Sequence, residues 1–267
     1  MFNQKLIILI VVGAFITQIS EAAPKQSEIE WPKFNASDSD GNELVEYRIG
    51  WLPKAKYQEA LDLMAEYMYR ENPFVVAFDW GDDADVLNNH LSGWSAHLDK
   101  GISVACFKNS SDELIGVNIL YIEELNQDYV DPEKPVTYPK DIPSKFRNLM
   151  KLTHELHTVQ RFNVFEKYGV KRYLSSDGLV VRPEYRHRGI ASQLLGVRKM
   201  ICAKYNLKLT STVFTSDASN ALAVKMGYEL DTFKMYADIF SKLPEQYNVN
   251  MTEKPEMFSR RSIKFFN

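Results

Sequence analysis

Cysteine is scarce: Cys106 and Cys202 are the two in 267 residues. That is too few for a disulfide framework or a zinc site. They form either one bridge or two buried thiols, and we favour the thiols. No run of about 20 apolar residues interrupts the chain, which excludes an internal helical membrane span. A one-signed charge surplus is also missing. Lys and Arg number 32 against 35 Asp and Glu, a net charge of −3, whereas a nucleic-acid partner wants a basic excess. The sequence has neither Gly-x-Gly-x-x-Gly nor Gly-Lys-Ser/Thr, so neither a dinucleotide fingerprint nor a Walker loop is indicated. It also lacks internal repeats and low-complexity segments.

What is present is ordinary globular composition, 45% hydrophobic and 25% charged, enough for one large domain or two small ones. The N-terminus differs from the rest. Lys5 precedes the apolar run Leu6 to Ile16, and Ser20-Glu21-Ala22-Ala23 follows. A basic residue, a short apolar stretch and a small-x-small site are the parts of a secretory signal. We therefore expect residues 1–22 to be a signal peptide cleaved before Ala23, with an uncleaved signal-anchor as the alternative. The mature protein would be secreted or lumenal and not embedded in a membrane. Sequons at Asn35, Asn109 and Asn250 are compatible with that route and add little to it. Residues 23–43 read as a polar linker, and residues 44–267 as one domain.

Within the domain, residues 44–51 alternate as a strand that stops at Pro53. Leu61, Met64, Ala65 and Met68 share one face of a helix over 54–70. Residues 74–80 read as an aromatic loop or short extended piece, and 82–99 as a second helix with Asp82, Asp83 and Asp85 in its first turn. Strands follow at 101–108 and 113–122, joined by a hairpin turn. A proline-containing connection leads to a helix near 144–167. Then come a strand (173–181), a helix (188–205), a strand (207–214) and a helix (217–226) stopped by Gly227. Strands at 230–239 and 260–266 close the chain. The alternation predicts an α/β fold, a mixed central sheet of about seven strands with helices on both faces.

One stretch carries chemistry. The apolar strand ending Leu179-Val180-Val181 turns at Pro183 into Arg186-His187-Arg188-Gly189-Ile190-Ala191, which opens a helix. Unbonded amide N–H groups and the macrodipole make such a helix start a phosphate site. Gly189 and Ala191 let the backbone approach a ligand, and Arg186 or Arg188 can add charge-assisted bonds. A plain strand–turn–helix with surface arginines is the alternative.

Arg186-x-x-Gly189-x-Ala191, with Val181-x-Pro183 before it and Leu194-Leu195 after it, resembles the acetyl-CoA pyrophosphate loop of the GNAT superfamily. Residues 215–228, a helix ending in Gly227-Tyr228, resemble the next conserved block, one strand later. Looser similarity to the arylalkylamine N-acetyltransferases of invertebrates extends from Leu44 to the C-terminus. The resemblance implies a GNAT fold and transfer of an acetyl group from acetyl-CoA, as co-substrate, to a primary amine such as an arylalkylamine. Leu179, Val180, Val181 and residues Arg186, His187, Arg188, Gly189, Ile190 and Ala191 would bind the cofactor. The pantetheine arm would pair along the strand, and a backbone amide there would polarise the thioester carbonyl.

The chain departs from that pattern at the catalytic positions. The branch's catalytic glutamate falls on Asn72, which cannot accept a proton, so either Glu71 substitutes as base or deprotonation runs through water, with a solvated helix-end carboxylate as the competing role of Glu71. The tyrosine acid of many GNAT enzymes falls on Ala223. Hydroxyls take its place in the arylalkylamine branch, and Thr215 and Ser219 stand at similar positions, where helix capping is the competing role. Phe74, Phe78, Trp80 and Trp94 either wall an amine pocket or pack the core. His154 and His157 lack zincin spacing and a third ligand, so we expect no metal. Small amines are the expected partners, and the protein is expected to be a monomer. The competing readings are a non-catalytic secreted GNAT-fold binding protein and a lumenal acetyltransferase of proteins.

Overall fold

The computed structural model describes residues 29–41, 43–125, 159, 162–241 and 255–266. The chain divides into Met1–Glu30 and Trp31–Asn267. The expected signal segment, most of the 144–167 helix with His154 and His157, and the Asn250 sequon lie outside the described residues.

The second unit is built on eight strands: β1 (Lys33–Ser37), β2 (Leu44–Trp51), β3 (Val104–Lys108), β4 (Leu114–Glu124), β5 (Arg172–Val181), β6 (Leu209–Phe214), β7 (Glu229–Met235) and β8 (Met257–Lys264). Their order in the sheet is β1-β2-β3-β4-β5-β6-β8-β7. All described pairings are antiparallel except β5 with β6.

The sheet corrects the sequence reading at one edge. Lys33–Ser37, assigned to the linker, is strand β1, paired from Lys33↔Arg48 to Ser37↔Leu44. Its apolar positions are too few for a pattern, and it is held by the ladder and by Phe34 stacking on Tyr47 at 5.6 Å. This strand makes the count eight, and the folded body begins at Trp31 rather than Leu44.

The remaining expectations need smaller adjustments. Helix α1 (Tyr57–Leu63) widens from a 3-10 turn and continues as a π-helical segment over Met64–Tyr69. The expected loop at 74–80 contains a short helix, α2 (Pro73–Ala77), because the Asn72 side chain caps it and Pro73 suits its first turn. Helix α3 (Ala84–Leu98) is capped by Asp83. Helix α4 (Val164–Tyr168) ends at Gly169, with φ 62°. The helix expected over 188–205 is two segments, α5 (Ile190–Gly196) and α6 (Arg198–Lys204), joined at Val197. Helix α7 (Asp217–Lys225) follows. Tyr236–Ser241, read as the end of a strand, is helix α8; buried Tyr236 donates its hydroxyl to Thr215 O at 2.8 Å.

Strand alternation sorts the core onto two faces. Val104 and Cys106 point to the face covered by Ile190, Leu194, Val197 and Ile201 of α5 and α6. Ala105 and Phe107 point to the other, covered by Leu63, Met64, Trp94 and Leu98 of α1, the π segment and α3. Both cysteines are free thiols, and burial pushes each up to about 12, which leaves them protonated and unreactive.

Candidate active site

The site originates in a failure of pairing. β5 and β6 are in ladder register at Leu174↔Thr210, and Thr212 Oγ1 still reaches Ser176 O at 3.1 Å. Past that bond the two strands diverge while β5 stays on β4 as far as Gly116↔Val181. Arg182 N–H donates to Ile115 O, so by the alternation of an antiparallel ladder Val180 and Arg182 bond toward β4. Leu179 and Val181 therefore turn their backbone groups to the gap, where Val181 O accepts from Arg186 Nε at 3.1 Å. A bulge opposite Asn118 to Leu120 begins the divergence. Gly178 lies within it at φ 133°, where a Cβ would meet Met68 Sδ at 2.2 Å. Only glycine lets the π segment press so closely on β5.

The gap opens into a cleft of about 660 Å³ that takes in both faces of the diverging strands. Along one wall run Tyr185 to Ser192 and the start of α5. His187 and Gly189 adopt positive φ, 63° and 80°, which curls the loop and presents successive amides. The first bond of the helix runs from Gln193 N–H to Gly189 O at 3.1 Å, so the amides ahead of it have no intrahelical partner. Arg188 braces the loop: its guanidinium donates to Glu184 O, Arg186 O and Ser39 O. It is therefore committed to structure, while His187 is exposed.

The cleft also reaches Arg198, which is 1% exposed. Its Nη2 donates to Asn118 Oδ1 at 3.2 Å, which also accepts from Ser176 Oγ at 2.7 Å. Its Nε and Nη1, with Asn118 Nδ2 and the Tyr228 hydroxyl beside it, make no well-directed hydrogen bond among the described residues, although Tyr228 lies close enough to interact with the guanidinium. The ionisable groups acting on it are Tyr228 and Cys202, neither of them an anion at neutral pH. A buried cation with unfilled donors and no counter-charge is costly, and its retention points to a ligand or ordered water.

The opposite wall is made of side chains: Met68, Tyr69, His90, Trp94 and Asp177. Trp94 is buried and donates its indole N–H to Asp177 O at 3.0 Å. The Asp177 carboxylate pairs with His97 Nδ1 at 3.0 Å, and His97 stacks on Tyr121 at 4.0 Å. His90 lies between Tyr69 and Trp94, with ring centroids 5.3 and 5.5 Å away, and its ring nitrogens have no hydrogen-bond partner among the described residues.

Most sequence-nominated residues converge on this cleft: Glu71, Leu179, Val180, Val181, Arg186, His187, Gly189, Ile190, Ala191, Thr215 and Ser219 all line it. Arg188 does not, being turned to the backbone behind the loop. Of the catalytic candidates, Glu71 accepts from Arg186 Nη2 at 2.8 Å, an ion pair joining the two walls. Asn72 Oδ1 accepts from Phe74 N. Ser219 is committed to the capping box of α7, bonding Ser216 O and the Ser216 amide. The hydroxyl of Thr215 has no partner among the described residues. Ala223 is buried with Leu195, Phe214 and Tyr228.

Of the four nominated aromatics, Trp94 reaches the cleft. Phe74 packs on Tyr236, Phe240 and Phe258, and Phe78 stacks on Trp80. Asp82 pairs with Arg70, and Asp83 caps α3. Sequence reading missed His90, Asp177 and Arg198. An arginine at an apolar position of the α5–α6 stripe was the one signal available for any of them. Among the described residues no group of acidic, histidine or cysteine side chains is placed to hold a metal.

No family model and no curated protein matches the chain. Solved structures do. A protein assigned as arylalkylamine N-acetyltransferase 7 of the yellow fever mosquito Aedes aegypti is 27% identical, with a TM-score of 0.71 over 88% of this chain and 94% of that one. Arylalkylamine N-acetyltransferase 2 of Aedes aegypti gives 14% identity and 0.63, over 82% of this chain and 98% of that one. The Drosophila melanogaster polyamine N-acetyltransferase, which forms N-acetylagmatine, gives 15% and 0.62, over 82% and 100%. Fold and cleft together are similar to those of GNAT-type N-acetyltransferases. The branch it resembles is that of the insect arylalkylamine N-acetyltransferases.

Proposed function

We propose that the protein transfers the acetyl group of acetyl-CoA to a primary amine, with arylalkylamines as the acceptor class. The observation that carries this reading is the gap beside Leu179 and Val181, whose backbone groups face away from β4 and lead straight into the curled loop at Arg186–Ala191. The amides of that loop suit a diphosphate. Leu179 and Val181 suit an extended amide-bearing arm added as a strand, and the unfilled donors of Arg198 suit carbonyl oxygens of the same arm. A thioester held there has its carbonyl beside strand amides that can stabilise the developing oxyanion. Acetyl-CoA supplies the activated acyl group; the chain aligns it, excludes water with Trp94 and the methionines, and admits the amine from the side-chain wall. The signal segment at residues 1–22 supports a secretory location for this activity.

Calorimetric titration of residues 23–267 with acetyl-CoA tests the reading, with micromolar binding as the expected result. Absence of binding by folded protein would instead favour a secreted GNAT-fold binding protein. That second reading draws on the engagement of Glu71 by Arg186 and on the buried Ala223.

A further inference from the structure

Acyl transfer to an amine needs a base, because the amine arrives as an ammonium ion and attacks only as the free base. The two positions nominated for that work are occupied. Asn72 has no basic group and its oxygen caps α2, while the Glu71 carboxylate is held by Arg186 on the phosphate-loop side. We propose that His90, on the side-chain wall of the cleft, is the general base that deprotonates the amine. This rests on the acetyltransferase reading above and names the proton acceptor of that same site.

Several observations support the assignment. His90 lines the cleft with Gly178 and Leu179, where the acyl group would lie. It is tied there through Trp94, whose ring it contacts and whose indole N–H holds the backbone of Asp177, next to Gly178. Both ring nitrogens lack hydrogen-bond partners among the described residues, unlike the Nδ1 of His97 two turns further along α3, which is committed to Asp177. Burial keeps the imidazole below its ordinary range and so neutral at pH 7, with the Asp177 carboxylate of β5 opposing that shift. Of the other ionisable groups facing it, Tyr69 donates its hydroxyl to Trp80 O at 2.7 Å, and the His97 ring is hydrogen-bonded to Asp177. Neither competes for the amine proton.

The step balances as follows. The ammonium gives one proton to His90, and the neutral nitrogen attacks the thioester carbon, forming the C–N bond. The tetrahedral adduct collapses with loss of the C–S bond and its electron pair to sulfur. The second nitrogen proton ends on the CoA thiolate, and the imidazolium returns its proton to solvent through the cleft mouth.

The test uses residues 23–267 with acetyl-CoA and tyramine, reading released thiol, with acetyl-CoA affinity and the imidazole titration by NMR measured separately. His90→Gln should lower kcat/KM by about 10²-fold or more while acetyl-CoA affinity stays within twofold. His90→Ala should recover part of the loss with added imidazole. The acid limb of the wild-type profile should follow the NMR titration of His90, below 6.5, and vanish in both variants. Activity of His90→Gln within threefold of wild type, or an acid limb that survives the substitution, overturns the assignment. Normal acetyl-CoA binding with that result leaves the acetyltransferase reading standing; loss of acetyl-CoA binding by wild type removes both.

Discussion

The two walls of the cleft are made of different material. The wall at β5 and α5 works with backbone: the gap-facing groups of Leu179 and Val181, then amides curled by His187 and Gly189. The wall at the π segment and α3 works with side chains: Tyr69, His90, Trp94 and Asp177, drawn from two helices and a bulge. Backbone recognition needs a glycine and a helix start at fixed spacing, so it leaves a short sequence motif. Side-chain recognition needs only that certain groups meet in space, and leaves none.

Substitutions can break each wall separately. The largest effect is expected where the walls touch. Gly178→Ala places a Cβ within 2.2 Å of Met68 Sδ at a φ of 133°. The positive φ should cost about 1–3 kcal/mol, with the clash partly relieved by the flexible ends of Met64 and Met68, a drop in melting temperature of roughly 5 °C. A melt within 2 °C of wild type would mean that the π segment can yield, and that the walls are less firmly joined than they look.

Gly189→Val should strike the backbone wall alone. A Cβ there meets nothing within 4 Å, so the penalty is the positive φ, which a β-branched residue resists. Acetyl-CoA affinity should fall about 10- to 100-fold by titration, with the melting temperature reduced by only a few degrees. Equal loss of stability and affinity would show that the loop is part of the core.

Arg198→Met separates function from stability at the base of the same wall. Replacing a buried, uncompensated cation by a hydrophobe of similar volume is often neutral or stabilising. The variant should melt at or above the wild-type temperature and bind acetyl-CoA about tenfold more weakly. Marked destabilisation would assign Arg198 to the frame instead.

The smallest effect concerns the ion pair that spans the walls. Both Glu71 and Arg186 are partly exposed, at 53% and 32%, so the pair contributes at most about 1 kcal/mol. Because Glu71 competes with phosphate for Arg186, Glu71→Gln should tighten acetyl-CoA binding by up to about fivefold. Weaker binding would mean that Glu71 holds the loop in its binding shape.

Much of this was legible beforehand. The strand over Leu179–Val181, the loop through Ala191 and the α7 stop at Gly227 were readable because period and turn chemistry act over a few residues. The aromatics between 74 and 94 could be read as pocket or as core, and core packing was the commoner role. Phe74, Phe78 and Trp80 have the composition of an amine pocket, yet they pack against one another and α8, and Trp94 alone of the four reaches the cleft. β1 was hidden for a related reason: Lys33–Ser37 has little hydrophobic signal, and its partner strand supplies the pairing.

By itself the sequence determined the α/β class, the order of most elements and the phosphate-loop candidate, since these follow from local periodicity, caps and glycine spacing. Only the tertiary structure decided which charged and titratable groups stand free in the cleft. Glu71 met Arg186 across 115 residues, Asp177 met His97 across 80, and among the described residues Arg198 was left with unfilled bonding capacity. Those outcomes depend on distances between segments far apart in the chain, which no local pattern encodes.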